Sequence, residues 1–215
     1  MSKKLHLGCG QNYFEGYINI DFPLDKHSVQ QTSVADEFAD ITKLRYPTGS
    51  IDEVRLHHVF EHFTRPVACA LVASWQTWLK TDGVLHIEVP DFDRTAKSVL
   101  SRFTDDHTKA VGLRHIFGSN EEFWAVHYEG WSAKRLGALV TAFGFEVNEI
   151  KTNEWKGTYN FELIAKKVEA ITKADDLESR ARKYLQLFLL DDSEANLLDI
   201  WMNYYRQQAA LTRGK

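Results

Sequence analysis

Two glycines and one acidic residue near the start of the chain are spaced to hold a nucleoside-like ligand. Gly8 and Gly10 directly follow a short apolar segment at residues 5–7, and Asp21 follows a second one at residues 17–20. Glycines after a first strand let a ligand approach the backbone closely. An acid at the end of the next strand is placed to accept hydrogen bonds from two ribose hydroxyls. The pattern predicts a nucleoside-like cofactor lying across the carboxyl ends of parallel strands.

The same segment argues against a cofactor that contains a diphosphate. The dinucleotide-binding pattern has a third glycine three residues after the second and opens a full helix. Here that position is Tyr13, and the next glycine is Gly16. The crossover has room for only about one helical turn, whereas a usual parallel crossover takes roughly a dozen residues. A nicotinamide-dependent oxidoreductase is therefore disfavoured, while S-adenosylmethionine, which has no phosphate, needs neither feature.

A second motif follows the predicted fourth strand. Residues 57–62 read His-His-Val-Phe-Glu-His, and residues 5–10 read Leu-His-Leu-Gly-Cys-Gly. Taken in order with Asp21 and Asp40, these motifs resemble those of the class I S-adenosylmethionine-dependent methyltransferases, most closely the small-molecule, type 11-like branch. The resemblance covers roughly residues 4–167. It implies an α/β fold with a Rossmann-like methyltransferase sheet, mostly parallel with an antiparallel last strand, and S-adenosyl-L-methionine as the cofactor.

The resemblance also implies roles for residues in the glycine turn and at the strand ends. Asp21 would bind the ribose, Asp40 would bind the exocyclic amino group of adenine, and Ile41 would pack on the adenine ring. Two positions depart from the family, because His6 stands where the family has an acid and Asn12 where it has a third glycine. Asn12 could still bond the carboxylate or amine of the cofactor. The predicted cofactor-binding set is Gly8, Cys9, Gly10, Asn12, Asp21, Asp40, Ile41, His57 and Phe60.

Two histidines are candidates for acting on the methyl acceptor. Methyl transfer from a sulfonium is an in-line displacement, so the enzyme mainly holds the two reactants close and collinear. A hydroxyl acceptor also needs a base, and an imidazole with a pKa near neutrality fits that task. The resemblance implies that His58 stands beside the sulfonium and that His127 lies in an acceptor-side segment, although a hydrogen-bonded loop role for His127 is equally consistent. Phe60, Tyr13 and Phe14 are candidates for an aromatic wall around the sulfonium.

The histidine spacing also invites a metal interpretation. His58 and His62 are four residues apart, and Glu61 lies between them, which resembles part of a zinc site. The order is not His-Glu-x-x-His, however, and the sequence offers no evident third ligand. Cys9 and Cys69 provide neither zinc spacing nor a disulfide framework. No metal is predicted.

Alternating strands and helices would position these residues. This alternation predicts a parallel sheet with helices on both faces. A helix is predicted from residue 65, with an apolar face at three- and four-residue steps and an end at residues 81–83. Further helices are predicted over 95–103 and 133–143, a loop with a poor helix over 22–35, and irregular chain around 114–118 and 127–131. The predicted strands are residues 5–7, 17–20, 36–41, 51–56, 83–90, 145–150 and 160–166, the last two separated by a gap at 151–159.

The composition changes beyond residue 168. Residues 175–190 and 193–211 are predicted as two helices rich in Glu, Arg, Gln and Leu. The second would bury a stripe formed by Leu197, Trp201, Tyr204 and Tyr205. We interpret residues 1–168 as the cofactor-binding methyltransferase domain and residues 169–215 as an appended helical hairpin. Packing against that domain and formation of a homodimer are equally consistent roles for the hairpin.

Composition also limits the partners. The chain has 215 residues and a net charge of -4, so no overall basic field predicts nucleic-acid binding. No apolar run approaches the ~18 residues of a membrane span, and the short polar start leaves no room for a signal peptide, which predicts a cytoplasmic protein. The predicted function is O- or N-methylation of a small-molecule or glycan-like acceptor. The alternative is a non-catalytic S-adenosylmethionine-binding or partner-binding module of the same fold.

Overall fold

A computed structural model describes residues 2–23, 25, 32–122 and 124–212 of the chain. Within them, seven strands form one sheet: β1 (Lys4–Leu7), β2 (Ile18–Asp21), β3 (Glu37–Phe38), β4 (Ile51–His57), β5 (Leu79–Pro90), β6 (Phe145–Trp155) and β7 (Thr158–Lys167). Their order across the sheet is β3-β2-β1-β4-β5-β7-β6. Strands β1 to β5 pair in parallel, and β7 runs antiparallel to both β5 and β6. The mostly parallel sheet with an antiparallel last strand is therefore confirmed.

Six α-helices flank this sheet in the described part of the chain. They are α1 (Arg65–Trp78), α2 (Phe92–Leu100), α3 (Asp106–Phe117), α4 (Ala133–Ala142), α5 (Ala174–Gln186) and α6 (Ala195–Thr212). Helices α2, α3 and α4 each have a side-chain N-cap. Asp91, Asp105 and Ser132, respectively, accept a hydrogen bond from a backbone N–H of the first turn. Short 3₁₀ helices occupy Ile41–Lys43, Phe60–His62 and Asp192–Glu194.

One face of the sheet is apolar and carries the main core. Alternate residues of the central strands point to this face, and their side chains are fully buried. They share one hydrophobic cluster with α1, α4, α5 and α6. The strand residues concerned are Leu5, Leu7, Val54, Leu56, Leu85, Ile87, Leu163 and Ala165.

The other face of the central strands is polar but still largely buried. Nδ1 of His6 lies 3.1 Å from Oδ1 of Asn19, and both residues are fully buried. The loop between β1 and β2 forms turns and covers this face, with the Phe14 ring 4.6 Å from the His6 ring. The Arg55 guanidinium stacks 4.6 Å from the same phenyl ring. The crossover between β1 and β2 is thus short, as the glycine spacing predicted, and it is a loop that packs on the sheet rather than a helix.

Two predicted boundaries were wrong near the cofactor-side strands. The third strand has only two residues, because Asp40 leaves it to cap the 3₁₀ helix that begins at Ile41. The first helix ends at Trp78, and β5 begins at Leu79, which pairs with Ile51. The register with β4 shifts between Leu79 and Val84, and Asp82 has a φ of 63°, so the turn expected at residues 81–83 is present as an irregularity within β5.

Two further corrections concern the later part of the chain. Residues 114–117, predicted as irregular, form the end of α3, and Gly118 ends that helix with a φ of 90°. Only Gly112 of this helix is buried, so its sequence lacks an apolar periodicity. The predicted gap at residues 151–159 is instead the tip of a long hairpin, in which Lys156 and Gly157 make a two-residue turn with φ of 48° and 80°.

The two C-terminal helices pack on α1. Oγ of Ser74 lies 2.6 Å from Oγ1 of Thr212, and Nε2 of Gln208 donates to the Thr42 carbonyl oxygen at 2.6 Å. The buried residues of α6 include Leu198, Met202 and Tyr205, whereas Tyr204 of the predicted stripe is 52% exposed. Tyr205 of the predicted stripe is buried and Trp201 packs partly buried against the core, whereas Leu198 and Met202, rather than Leu197 and Tyr204, complete the buried stripe. The domain boundary at residue 168 and the homodimer stay predictions.

Among the described residues, none of the helices combines the length and the apolar composition of a membrane span. The loop and poor helix predicted over residues 22–35 fall largely outside the described residues, which include only 22, 23, 25 and 32–35 of that range.

Candidate active site

The glycine turn after β1 is shaped by two glycines with positive φ. Gly8 has a φ of 68°, and a Cβ added to it would overlap Cγ2 of Val59 in the segment that follows β4. Gly10 has a φ of 55°, yet among the described residues no heavy atom lies within 4 Å of a Cβ added there. The N–H groups of Gly8 and Cys9 both donate to the Ile20 carbonyl oxygen, at 2.8 and 3.0 Å. The turn is therefore tied to β2 on one side and open to a ligand at Gly10.

Asp21 lies at the end of β2 and faces this opening. Its Oδ2 accepts from the Gly10 N–H at 2.9 Å, and its Oδ1 accepts from the Phe22 N–H at 2.8 Å. The residue is only 6% exposed, yet it lines a cavity together with Gly8 and Gly10. A carboxylate fixed at a cavity wall by backbone donors is a suitable acceptor for groups such as ribose hydroxyls.

Asp40 and Ile41 form the far wall of the same cavity. Oδ1 of Asp40 accepts from the Thr42 N–H at 3.0 Å and from the Thr42 hydroxyl at 2.6 Å, and its Oδ2 lies 3.0 Å from Nζ of Lys43. Burial favours a higher pKa, but the hydrogen bonds from Thr42 and Lys43 outweigh it and lower the pKa of the Asp40 carboxyl. Ile41 is 5% exposed and supplies an apolar surface beside this anion.

Two cavities meet at the carboxyl ends of the strands. The smaller cavity, of about 420 Å³, is lined by the residues just described. The larger cavity, of about 870 Å³, lies beside it toward α3 and the β6–β7 hairpin. The residues that line both are His58, His62, Glu121 and Trp124. A ligand in the smaller cavity would therefore face a second molecule in the larger one.

His58 stands at the junction of the cavities between two carboxylates. It follows β4 with a φ of 53°, an uncommon conformation for a residue other than glycine. Its Nδ1 lies 3.4 Å from Oε1 of Glu61, and its Nε2 lies 3.5 Å from Oε1 of Glu88. Burial opposes the charged imidazole, but Glu61 and Glu88 raise the pKa of His58 to about 10. His58 is thus a cation at neutral pH.

His127 lines the larger cavity, and its two ring nitrogens have different neighbours. Its Nδ1 lies 3.0 Å from the carbonyl oxygen of His115, and because a carbonyl only accepts, Nδ1 carries the proton. Its Nε2 lies 3.9 Å from Oε1 of Glu61. Burial lowers the pKa of His127 even though the charge of Glu61 opposes this effect. The neutral ring therefore directs an unprotonated nitrogen toward Glu61.

Solved structures share this architecture at low sequence identity. A SAM-dependent methyltransferase from Methanosarcina mazei superposes with a TM-score of 0.52 at 15% identity, over 77% of this chain and 92% of that one. A chain solved in complex with the Haloferax volcanii Trm112 methyltransferase activator gives a TM-score of 0.55 at 12% identity, over 80% and 84%. The 1,6-didemethyltoxoflavin-N1-methyltransferase of Burkholderia thailandensis, solved with bound 1,6-didemethyltoxoflavin and S-adenosylhomocysteine, gives 0.51 at 15%, over 78% and 72%.

The chain has the fold of S-adenosylmethionine-dependent methyltransferases. No family model matches it, and no curated protein does. At these identities the neighbours show the fold alone.

Within this methyltransferase fold, most of the predicted site residues line the two cavities. The smaller cavity brings together Gly8, Gly10, Asp21, Asp40, Ile41 and His58. The larger cavity contains Asn12 and His127 together with His58. Asn12 therefore lines the larger cavity, apart from Gly8 and Gly10 of the same turn.

Three predicted cofactor-binding residues, Cys9, His57 and Phe60, are not among those that line the smaller cavity. Phe60 is fully buried and stacks on Trp131 with ring centroids 5.2 Å apart, so its ring belongs to the core. His57 points to the polar face of the sheet, where its Nε2 accepts from Nε of Arg55 at 2.7 Å. Cys9 is 2% exposed, and its Sγ lies 3.7 Å from the Gly10 carbonyl oxygen.

The proposed aromatic wall is also made by different residues. Phe14 packs on His6, and Tyr13 is 54% exposed, whereas Phe22, Phe63 and Trp124 line the smaller cavity. Phe22 directly follows Asp21 and could have been found from that position. Trp124 lies in a stretch without periodicity, so no signal in the sequence singled it out.

Proposed function

We propose that the protein transfers a methyl group from S-adenosylmethionine to an oxygen or nitrogen of a small-molecule or glycan-like acceptor. The observation that carries this proposal is the pair of adjoining cavities with a shared wall at His58, His62, Glu121 and Trp124. Direct displacement needs donor and acceptor in line and in contact, and two adjoining cavities that share lining residues support that arrangement.

The smaller cavity fits the adenosyl part of the cofactor. Its volume lies within the ~300–1,000 Å³ typical of ligand pockets. Asp21 would accept from the ribose hydroxyls, Asp40 would accept from the adenine amino group, and the open face of Gly10 would receive the methionine end. Two anionic carboxylates in one small cavity would repel a diphosphate, which supports an unphosphorylated nucleoside.

The larger cavity supports a polar acceptor. Glu88, Arg114 and Asn160 line it, and the exposed ring of Trp155 stands at its rim. We assign His58, a cation whose two ring nitrogens face Glu61 and Glu88, to fixing these two carboxylates in the wall of the larger cavity. We assign His127 to the acceptor's heteroatom, since its Nε2 has a free lone pair. S-adenosylmethionine supplies the methyl group, and the chain holds the two reactants close and excludes water.

Titration with S-adenosylmethionine by calorimetry tests the cofactor half of this proposal. We expect saturable binding, and no heat and no thermal shift even at about millimolar cofactor would overturn it, because that concentration corresponds to only ~4 kcal/mol of binding free energy.

Incubation with an acceptor pool tests the catalytic half. We expect S-adenosylhomocysteine to accumulate, detected by mass spectrometry, in wild type and less in His127→Ala at equal cofactor affinity. Cofactor binding without any product across sugar, quinone and phenol pools would instead identify a non-catalytic module of the same fold.

A further inference from the structure

We propose that Glu61, His62 and His127 bind one divalent transition-metal ion in the wall of the larger cavity. One donor atom from each of the three side chains lies within 4.8 Å of the other two. Two imidazoles and one carboxylate are a ligand set of catalytic zinc and of other first-row metals. The metal interpretation rejected from the sequence thus gains the third ligand that residues 57–62 lack.

The carboxylate of Glu61 is the first reason to place a cation here. The residue is 1% exposed, and among the described residues neither of its carboxylate oxygens accepts a hydrogen bond. The nearest nitrogens are Nδ1 of His58, which forms an ion pair with Oε1 at 3.4 Å, and Nε2 of His127 at 3.9 Å. This ion pair engages one oxygen, and within the described chain Oε2 is left buried without a hydrogen bond. A buried carboxylate oxygen without a donor is costly, and metal coordination is one of the ways in which proteins satisfy it.

The orientation of the two histidines is the second reason. Nδ1 of His62 donates to the Val126 carbonyl oxygen at 3.2 Å, and Nδ1 of His127 donates to the His115 carbonyl oxygen at 3.0 Å. Each of these hydrogen bonds places a proton on Nδ1, so Nε2 is the ring nitrogen available to a metal. Metal-binding histidines almost always donate their other N–H to a carbonyl or carboxylate, which holds the ring and the tautomer in place.

Backbone pairing brings the two ligand-bearing segments together. The N–H of Tyr128 donates to the carbonyl oxygen of Glu61 at 2.9 Å. The N–H of His127 donates to the carbonyl oxygen of Phe117 at 3.1 Å. The rings of His62 and His127 meet edge to face with centroids 4.7 Å apart. The three ligands therefore lie on a scaffold made by the main chain, and only side-chain adjustment is needed to reach ligand distances of ~2.0–2.2 Å.

A second cluster of possible ligands is already occupied by a protein cation. His57, His86 and Glu162 also lie within 4.8 Å of one another. Arg55, however, donates to Nε2 of His57 at 2.7 Å and contacts Nδ1 of His86 at 2.8 Å. The guanidinium takes the lone pairs that a metal would need, so this cluster carries no metal proposal and serves as an internal control.

Three protein ligands would leave a position open for a ligand in the larger cavity. Catalytic zinc sites keep such a position for water or substrate. An oxygen or nitrogen of the acceptor would occupy it, so in the metal-bound protein Nε2 of His127 would bind the ion and act on the acceptor through it rather than directly. This last role rests on the proposed function, whereas binding of the ion does not.

Metal titration of the chelator-treated full chain tests the site. We expect one Zn²⁺ per chain by calorimetry and elemental analysis, with an affinity of about micromolar or tighter. Replacement by Co²⁺ should give visible absorption bands that report the nitrogen and oxygen ligands. His62→Ala, His127→Ala and Glu61→Gln should each weaken the affinity at least ~10-fold.

Two matched variants serve as controls. His107→Ala removes an exposed histidine of α3, and His86→Ala removes a histidine of the second cluster. Both should bind Zn²⁺ as wild type does. Circular dichroism of all variants checks folding, and the isosteric Glu61→Gln keeps the test valid if an alanine variant unfolds.

The proposal is overturned if wild type binds no stoichiometric ion, if the three ligand variants bind as wild type does, or if His86→Ala alone loses the ion. Cofactor binding is measured separately in metal-free protein. If the protein binds S-adenosylmethionine but no metal ion, the metal site is wrong and the proposed function stands. If it binds the metal ion but no S-adenosylmethionine, the proposed function is wrong and the metal site stands.

Discussion

Gly8 and Gly10 share a backbone conformation but have opposite surroundings. Both lie in the left-handed region, where a Cβ is strained. The backbone at Gly8 is pressed against Val59, while the space beside Gly10 belongs to the cavity. The first glycine therefore allows the turn to pack against the segment after β4, and the second keeps room for a ligand.

Alanine substitutions should separate these two roles. We expect Gly8→Ala to lower the free energy of unfolding by about 2–3 kcal/mol, because it adds overlap with Val59 to an unfavourable φ. Gly10→Ala should cost only about 1–2 kcal/mol of stability but reduce S-adenosylmethionine affinity at least ~10-fold, since its methyl group enters the cavity. Urea unfolding and calorimetric titration measure the two effects. Equal stability losses with unchanged cofactor affinity in Gly10→Ala would contradict the assignment.

Asp21 should contribute directly to cofactor affinity. We expect Asp21→Asn to weaken S-adenosylmethionine binding by about 1–3 kcal/mol, because the amide loses the charge but can still accept from the Gly10 N–H. Calorimetry measures the change. Asp93→Asn on the exposed first turn of α2 is the control and should bind as wild type does. If both variants bind alike, Asp21 is not part of the cofactor site.

At the scale of elements, Glu129 connects the segment at residues 127–131 to helices α1 and α4. Its Oε1 lies 2.8 Å from Nη2 of Arg65 at the start of α1, and its Oε2 lies 2.5 Å from Nη2 of Arg135 in α4. The Arg65 guanidinium in turn stacks 3.8 Å from the ring centroid of Phe188, beyond α5. This buried cluster positions the segment that carries His127, and it gives the C-terminal helices a structural part in the site.

Removal of this carboxylate should destabilise the fold. We expect Glu129→Ala to lower the free energy of unfolding by about 3 kcal/mol, because it leaves two arginines without their buried partner. Glu169→Ala is the matched control, since Glu169 pairs with Arg180 while remaining 48% exposed, and it should cost less than ~1 kcal/mol. Chemical denaturation of both variants provides the comparison. Similar losses would show that the cluster around Glu129 is no more than a surface pair.

At the scale of the whole molecule, the two faces of the sheet differ in chemistry. One face holds the apolar core, and the other holds His6, Arg55, His57, His86 and Glu162 beneath the short β1–β2 loop. Burial followed by the charge of Arg55 lowers the pKa of His57 to about 4, although Glu88 opposes this effect. Burial also lowers the pKa values of His6 and His86. The folded chain thus keeps three histidines neutral on this face.

Acid should therefore destabilise the protein through this face. Between the lowered folded pKa and the ordinary value near 6.5, the unfolded chain binds more protons, so the free energy of unfolding falls as pH falls from about 6.5 to about 4. For His57 alone we expect a loss on the order of 2 kcal/mol. Denaturation curves across this pH range should be flatter for His57→Gln than for wild type. Parallel curves for the two proteins would rule out His57 as a source of the acid sensitivity.

From the amino-acid sequence we could predict the glycine turn, the acid at the end of β2, the acid and isoleucine pair near β3 and the mostly parallel sheet. These features depend on local backbone geometry and on residue types a few positions apart, so a linear pattern records them. The sequence did not show that Phe60 is buried against Trp131 or that Glu61 and His62 meet His127. These contacts join residues more than about 60 positions apart, and packing of the whole chain sets their geometry without leaving a local signal. His57 faces Arg55 on the same strand, but this contact lies on a sheet face that only the packed β1–β2 loop buries.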